Sequence, residues 1–326
     1  MGELIAGRNI GKKAMVVGGL AQLVPDVDFV FGLWMSPAAN ALAHRGVTHS
    51  ILFAILITPV LAWAQRRWWG DKAIPFSYWV AFIGAQITTH LFLDAFNAYG
   101  TGWFEPFSHT RITFNTIFVA DPFFSIPLGL ALIVLVFSGR AFRWRSAAAF
   151  GALSLCTLYL LYGLFNKWQV DRITRTALAR HQISAKTYFT TPTPFNNWLW
   201  YIVAIDSEGS HVGYHSVFDQ SPDIQFQFFA RNESLLAGLN PDLTRELELL
   251  KRFSQGYYTI EARGDTLIFN DLRFGQMLGW QHPREGFVFH YYLRPELDNT
   301  LVLQRGRFKG WDKEATMALI RRIRGE

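Results

Sequence analysis

The chain is poor in charged residues and nearly free of cysteine. Charged residues make up 17% of its 326 residues, below the roughly 25% of a typical soluble domain. The lone cysteine, Cys156, excludes an intramolecular disulfide. The sequence also lacks a glycine-rich phosphate loop, a Gly-x-Ser-x-Gly elbow and a cysteine cluster, so the usual motifs of P-loop enzymes, serine hydrolases and zinc fingers are absent. What it has instead is apolar: half of its residues are hydrophobic, which argues against disorder.

The few acidic residues are distributed unequally along the chain. Residues 1–165 contain seven of the 25 Asp and Glu residues, and residues 166–326 contain the other 18. The first part also holds four nearly uncharged runs, each close to the roughly 20 residues that cross a bilayer. A further run, Ala14–Met35, is interrupted at Pro25-Asp26-Val27-Asp28. The four runs are Val47–Ala64, Phe76–Phe96, Pro122–Phe137 and Ala147–Phe165.

These runs predict an α-helical polytopic membrane domain followed by a smaller α+β soluble domain. We place the membrane domain at 1–165, a basic connecting segment at 166–190 and the soluble domain at 191–326. A buried helical bundle in a soluble protein is the alternative, and the length and low charge of the runs argue against it.

Short alternating or β-branched segments and turn signals define the predicted soluble domain. Arg263-Gly264-Asp265 is typical of a hairpin turn, and Asp312 is a candidate helix cap. The predicted strands are Trp198–Ile205, His211–Phe218, Ile224–Phe229, Tyr257–Ala262, Thr266–Phe269, Phe287–Leu293 and Thr300–Gln304, and the predicted helices are Leu243–Ser254 and Asp312–Arg324.

The positions of Lys and Arg predict the orientation in the membrane. If Ala14–Met35 crosses once, nine basic residues of the short loops lie on one side and only Arg45 and Arg111 lie on the other. The positive-inside rule then predicts an inner (plasma) membrane protein with its C-terminal domain outside the cytoplasm, although five basic residues after the last run oppose this orientation. The net charge of +6 is assigned to loops beside the lipid bilayer, so we expect no nucleic-acid partner. A protein partner of the C-terminal domain stays open.

Ionisable side chains occur where the apolar runs begin, end or break. Such residues are costly in a membrane and usually functional. His90 and Asp94 are four residues apart, so a helix places both on one face. The predicted topology brings the whole set to one side of the membrane. The seven candidate metal ligands are Asp26, Asp28, His44, His49, His90, Asp94 and Asp121.

Three imidazoles and four carboxylates make a mixed nitrogen and oxygen site. That donor set suits zinc, manganese or iron better than calcium, which prefers oxygen alone. Seven ligands exceed what one tetrahedral zinc needs, so a dinuclear centre stays open. A divalent metal at such a site supplies hydroxide near neutral pH, which predicts hydrolysis of an ester, often a phosphoester. Helix capping and interhelical hydrogen bonds are the structural alternative for the same side chains.

Four motifs carry these residues in a recognisable order. They are Pro25-Asp26-Val27-Asp28, His44-Arg45-Gly46-Val47-Thr48-His49-Ser50, His90-xxx-Asp94 and Asp121-Pro122. In these motifs the chain resembles the YdjM/YbcI-like family of bacterial and archaeal inner-membrane metal-dependent hydrolases, over roughly the first 140 residues. The resemblance implies a membrane-bound hydrolase of unassigned substrate, with Asp26, His44, His49, His90, Asp94 and Asp121 as metal ligands.

Three further side chains are candidates for catalysis. Arg45 lies between two of the predicted ligands and could bind a phosphate oxygen through two donors. Glu105 or His109, in a loop on the same side, could serve as general acid or base. For all three, an ordinary surface or headgroup-facing position is the alternative.

The resulting hypothesis is a membrane-bound metal-dependent hydrolase acting on a lipid or on a membrane-proximal phosphoester. Two alternatives from other classes stay open: a metal or proton transporter that uses the same ligands, and a non-catalytic membrane regulator. A second metal site at His211 and His215 is conceivable, because residues four apart share a face of a strand, but no further ligand is near them in sequence.

Overall fold

The computed structural model describes residues 1–68, 74–139, 142, 144–237, 239–293 and 310–326. These residues form two compact units. The first unit comprises Met1–Trp34, Ala43–Asn115 and Val119–Tyr162, and the second comprises Met35–Leu42, Thr116–Phe118 and Gly163–Glu326.

The described part of residues 1–180 is mainly helical, with two 3₁₀ segments at the places where the sequence carries its ionisable motifs and an irregular stretch at 95–121. Pro25 lies at the first position of one 3₁₀ segment, where its missing N–H and fixed φ are tolerated. In chain order the helices are α1 (Gly2–Ile10), α2 (Lys13–Leu23), the 3₁₀ helix Pro25–Leu33, α3 (Pro37–Ala43), the 3₁₀ helix Val47–His49, α4 (Ile51–Trp68), α5 (Phe76–Asp94), α6 (Pro122–Phe137) and α7 (Arg145–Arg180).

Helix α5 is the centre of the first unit. It buries Trp79, Phe82, Ile83 and Ile87 in a core to which α1, α2 and α4 contribute mainly alanines. Small residues let these helices approach α5 closely, so that the dispersion contacts of the large α5 side chains are made with helix backbones as well as side chains. This packing fixes the end of α5 that carries His90 and Asp94 against the segments that follow α2 and precede α4.

By length and apolar composition, one described helix could cross a bilayer: α7, with 36 residues. Two bent pairs would each add a span if taken as one: Lys13–Leu23 with Pro25–Leu33, bent by 51°, and Pro37–His49 with Ile51–Trp68, bent by 59°. Helix α6 is apolar but has only 16 residues. The predicted helical N-terminal region is therefore confirmed, whereas its multi-pass arrangement stays a prediction.

The described residues of the second unit form two antiparallel sheets. The four-stranded sheet has the order β1-β2-β3-β4, and the three-stranded sheet has the order β5-β6-β7. Their strands are β1 (Thr187–Pro192), β2 (Leu199–Ile205), β3 (Gly209–Ser216), β4 (Gln227–Ala230), β5 (Tyr258–Arg263), β6 (Thr266–Gln276) and β7 (Phe287–Tyr292), and the helices are α8 (Pro241–Phe253) and α9 (Lys313–Ile323).

The predicted α+β character of this region is confirmed. The turn after Arg263 joins β5 to β6, with Gly264 at φ 63°, and the Asp312 side chain accepts a hydrogen bond from the Ala315 N–H at the start of α9. The predicted strand Thr300–Gln304 lies outside the described residues. Strand β1 was not predicted, because its Thr-rich sequence ending at Pro192 looks like a boundary. As an edge strand it tolerates that proline.

Candidate metal centre

Three elements of the first unit deliver four potential ligands to one point. Asp26 lies in the 3₁₀ helix that follows α2, and His49 ends the 3₁₀ turn before α4. His90 and Asp94 occupy the last turns of α5, on one face as their spacing predicts. One donor atom from each of the four side chains lies within 4.8 Å of all the others.

Five of the six distances between these donor atoms are nearly equal. His49 Nε2 lies 3.4 Å from Asp26 Oδ1 and 3.4 Å from Asp94 Oδ2. His90 Nε2 lies 3.5 Å from Asp26 Oδ1 and 3.6 Å from Asp94 Oδ2. The two imidazole Nε2 atoms are 3.3 Å apart. A tetrahedron whose arms are about 2.1 Å, as in zinc sites with nitrogen and oxygen ligands, has edges of about 3.4 Å. The donor set therefore has the size of a mononuclear site.

A buried oxygen without a hydrogen bond supports the same interpretation. Asp94 Oδ2 is inaccessible to solvent and accepts no well-formed hydrogen bond from any residue that the structure describes, although it faces both imidazoles and lies 3.1 Å from Arg45 Nε. Leaving a buried carboxylate oxygen unsatisfied costs free energy. A cation between Asp94 and the two imidazoles would satisfy it, so the residues fit a bound divalent metal.

Asp28 lies behind the four ligands and is fully buried. Its Oδ2 accepts hydrogen bonds from the Arg45 backbone N–H at 2.8 Å and from the Thr48 hydroxyl at 3.0 Å, and it lies 3.3 Å from His49 Nδ1. Its Oδ1 is 3.0 Å from His44 Nδ1. A carboxylate on Nδ1 fixes the tautomer that presents Nε2 to a metal and increases the basicity of the ring. The structure thus places Asp28 and His44 beside the four-residue group, not in it.

The His44–Ser50 segment has an unusual backbone that its sequence explains in part. A Cβ at Gly46 would lie 2.7 Å from the Ala43 carbonyl oxygen, so this position requires glycine. Arg45 has φ 58°, a left-handed conformation that costs a non-glycine residue about 1 to 2 kcal/mol. Such strain is typical of functional sites. Here it directs the Arg45 N–H to Asp28 while the guanidinium reaches Asp94.

The Arg45 guanidinium is held in place from several sides. Its Nη1 donates to Asn97 Oδ1 at 2.8 Å and to the Asp94 carbonyl at 3.3 Å, and the group lies 5.1 Å above the Tyr99 ring. The sequence prediction missed Asn97 and Tyr99. The one sequence signal for Asn97 is its position: it is a polar residue directly after the apolar run Phe76–Phe96, three residues after Asp94.

Glu105 and His109 form a pair in the loop that packs on the Arg45 backbone. His109 Nδ1 is 2.9 Å from Glu105 Oε2, and Glu105 is buried while His109 is more than half exposed. The Gly102 N–H donates to the Arg45 carbonyl at 2.9 Å, and Arg111 Nη1 donates to the His44 carbonyl at 3.1 Å. These bonds join the loop to the segment that carries Arg45 and His49.

Asp121 lies outside the four-residue group. It caps α6, accepting a hydrogen bond from the Phe123 N–H at 2.9 Å, and its other oxygen accepts one from the Tyr159 hydroxyl at 2.8 Å.

His211 and His215 do not converge on a common point. His211 Nε2 lies 2.6 Å from Asp206, whereas His215 is buried beside Asp219 at 3.2 Å. Burial raises the pKa of Asp206, but the hydrogen bonds from His211 and from backbone N–H groups outweigh it and lower that pKa overall.

A sequence profile of the YdjM inner membrane protein family matches residues 1–170, which include every residue of the site. The inner membrane protein YbcI of Escherichia coli K12 is 30% identical over 118 residues, covering 33% of this chain and 65% of the relative. The uncharacterized protein YfhP of Bacillus subtilis 168 is 35% identical over 127 residues, covering 39% of this chain and 38% of the relative. The matched segments thus span less than two thirds of either relative.

No solved structure matches the chain. The profile covers more than half of the residues, and its description supports a membrane location. The chain belongs to the YdjM inner membrane protein family.

Proposed function

We propose that this protein is a membrane-bound metal-dependent hydrolase that cleaves a phosphoester at the membrane surface. The observation that supports this most directly is the four-residue group. Asp26, His49, His90 and Asp94 present donor atoms that all lie within 4.8 Å of one another, and Asp94 Oδ2 receives no well-formed hydrogen bond from the residues that the structure describes. Two nitrogen and two oxygen donors suit zinc or manganese.

Each nearby side chain has a role in this proposal. Asp26, His49, His90 and Asp94 would hold a divalent cation, which when bound would activate water for attack near neutral pH. Asn97 occupies Arg45 Nη1, so Nη2 of the same guanidinium is the donor that we assign to a phosphate oxygen. Asp28 holds His49 in the required tautomer. We assign the Glu105–His109 pair to protonation of the leaving group, because the exposed His109 can exchange protons with solvent.

The membrane arrangement belongs to the same proposal. We propose several crossings, with the metal centre at one membrane surface and the second unit outside the cytoplasm, free to bind a protein partner. A reporter fused after Glu326 tests the orientation: alkaline phosphatase should be active there, and a fluorescent protein that folds only in the cytoplasm should stay dark. The opposite result would reverse the orientation.

Transport of a metal ion or proton is the second candidate, and one observation favours it. Gln86 lies one turn before His90 on α5 and is almost fully buried, and its Nε2 has no hydrogen-bond partner within the described ranges of the chain. Its Oε1 accepts a hydrogen bond from Gln22 Nε2 at 3.0 Å, four residues before Asp26. This pair extends the polar site by one helical turn. Uptake of zinc into proteoliposomes would favour transport.

The deciding experiment for hydrolysis uses the full chain in detergent. Metal content is measured by mass spectrometry, and hydrolysis of the water-soluble diester bis(p-nitrophenyl) phosphate is measured with and without added zinc or manganese. We expect one metal per chain and hydrolysis that His90→Ala abolishes. The matched control is Asp206→Asn, which removes an Asp–His pair of the second unit and should leave both values unchanged. Protein without stoichiometric metal, or metal without hydrolysis, would contradict the proposal. If cells carrying His49→Ala and His90→Ala behaved as wild type, a non-catalytic regulator would be favoured instead.

A further inference from the structure

An apolar groove of about 610 Å³ runs between α4 and α5 in the first unit. Its walls are aliphatic and aromatic apart from two threonines, and the hydroxyl of one of them, Thr58, donates to the Ala54 carbonyl at 2.6 Å. Ile55 and Thr88 line the groove from the two helices and are exposed. The groove therefore offers space for a hydrocarbon group and almost no hydrogen bonds.

One end of this groove adjoins the candidate metal centre. Ile51, in its wall, follows the ligand His49 by two residues, and Leu91 directly follows His90. Trp103 lines this end: its carbonyl accepts a hydrogen bond from the Ile51 N–H at 3.0 Å, and its indole N–H donates to the Leu91 carbonyl at 3.2 Å. A molecule whose polar group lies at the metal centre could thus extend directly into the groove.

The length of the groove matches one leaflet of a bilayer. Its lining on α5 extends from Val80 to Phe92, which a rise of 1.5 Å per residue converts to about 18 Å. Half of the hydrocarbon core of a bilayer is about 15 Å thick. A groove of this length, with polar ligands only at one end, fits an acyl chain that descends from the headgroup level.

We propose that the α4–α5 groove binds an acyl chain of a glycerophospholipid whose phosphoester lies at Asp26, His49, His90 and Asp94. The cationic Arg45 beside Asp94 complements the phosphate charge of such a lipid. That the bound lipid is also a substrate rests on the proposed function. It adds that the substrate is selected by its apolar chain as well as by its phosphate.

Two variants narrow the groove at exposed positions where a larger side chain leaves the helix core intact: Ile55→Phe on α4 and Thr88→Phe on α5. The matched control is Ile133→Phe on α6, since Ile133 is about as exposed as Ile55, at 55% against 64%, and does not line the groove. The probe is a phosphatidylcholine with a photoactivatable diazirine in the middle of one acyl chain, in vesicles of unlabelled phosphatidylcholine, and labelled peptides are identified by mass spectrometry.

We expect labelling to concentrate on groove residues of α4 and α5 and to fall about tenfold in both variants, because a phenyl ring displaces about two methylene groups of the chain. Ile133→Phe should label as wild type. The ratio of long-chain phosphatidylcholine hydrolysis to bis(p-nitrophenyl) phosphate hydrolysis should fall by a similar factor in the groove variants.

Labelling spread evenly over α4, α5 and α6, or unchanged in both variants, would identify ordinary surrounding lipid and overturn the inference. Protection of the groove by dimerisation of the protein would overturn it as well. If the wild-type protein did not hydrolyse bis(p-nitrophenyl) phosphate, the proposed function would be contradicted. The labelling pattern would still decide whether the groove holds an acyl chain.

Discussion

Replacement of Asp28 by asparagine tests whether this carboxylate supports His49 or is itself a metal ligand. In the structure this carboxylate interacts with His49 through Nδ1, while Nε2 of the same ring belongs to the four-residue group. Asparagine keeps the shape and one acceptor oxygen. That oxygen can still face the Arg45 N–H and the Thr48 hydroxyl, but the negative charge that increases the basicity of the ring is lost.

The expected loss of metal affinity in Asp28→Asn follows from the number of ligands affected. One imidazole of the four ligands loses its charged partner, and His90, Asp26 and Asp94 keep their positions. Loss of such a supporting partner costs about 10- to 100-fold in metal affinity, or about 1.4 to 2.7 kcal/mol of binding free energy. At saturating metal, Asp28→Asn should still bind one ion per chain.

The assay is competition for zinc between a chromogenic chelator and the full chain in nanodiscs. Asp206→Asn is the control, because it removes a carboxylate–imidazole pair of the same kind, at 2.6 Å, far along the chain from the site. Thermal unfolding in the presence of a metal chelator checks that each variant folds. If Asp28→Asn lost stoichiometric zinc as completely as His90→Ala, Asp28 would be a ligand, and an unchanged dissociation constant would refute its supporting role.

Three further predictions concern the ligands, a buried ion pair and pH. His90→Ala should lose stoichiometric metal by mass spectrometry. Asp121→Ala should keep the metal and destabilise the fold by about 1 kcal/mol, because it removes the cap of α6; loss of metal in Asp121→Ala would make Asp121 a ligand. Glu3→Gln leaves Arg145 buried without its carboxylate, whose oxygens lie at 2.9 and 3.0 Å, so the free energy of unfolding should fall by about 3 to 5 kcal/mol; an unchanged midpoint of thermal unfolding would contradict this. Burial lowers the pKa of His215, so as pH falls the unfolded chain binds the proton before the folded protein does. The neutral buried His215 therefore stabilises the fold above the unfolded pKa of about 6.5, and this stabilisation is lost as pH falls below that value. His215→Asn should flatten the decline in thermal stability between about pH 7 and pH 5, and an equal decline in both proteins would refute this role of His215.

Part of the site could be predicted from spacing alone. His90 and Asp94 are four residues apart on a predicted helix, and α5 places them on one face. His49 was predictable because it is the first ionisable residue of an apolar run, where such a side chain is costly and therefore usually functional. The convergence of these residues with Asp26 required only that the ends of the apolar runs meet on one side, which the order of the runs predicts.

The different positions of Asp26 and Asp28 could not be predicted in this way. The sequence indicates a break at Pro25 but does not specify what backbone follows it. The structure has a 3₁₀ helix there, whose three residues per turn place residues two apart about 120° from one another. Asp26 therefore points to the imidazole Nε2 atoms, while Asp28 turns behind them to the Nδ1 atoms of His49 and His44.

Asp121 illustrates a pattern with two meanings. An aspartate followed by proline before an apolar run is a candidate ligand at a membrane surface, and it is also the usual start of a helix, with aspartate as N-cap and proline at the first position. Local sequence cannot distinguish the two, because both need the same residue types at the same spacing. The partner of the second carboxylate oxygen, Tyr159, lies 38 residues away on α7.

The apolar runs have the same ambiguity at a larger scale. Hydropathy reports that a segment avoids water, but burial in protein and burial in lipid require the same composition. The α5 sequence looks like a membrane span, yet Trp79, Phe82, Ile83 and Gln86 are almost completely buried by neighbouring helices. On α7, by contrast, only 28% of the apolar window is buried within the protein. The protein itself covers one face of α5, whereas it leaves most of the apolar window of α7 uncovered. For α5, the sequence alone could not separate a lipid-facing span from the central helix of a bundle that positions the candidate metal ligands.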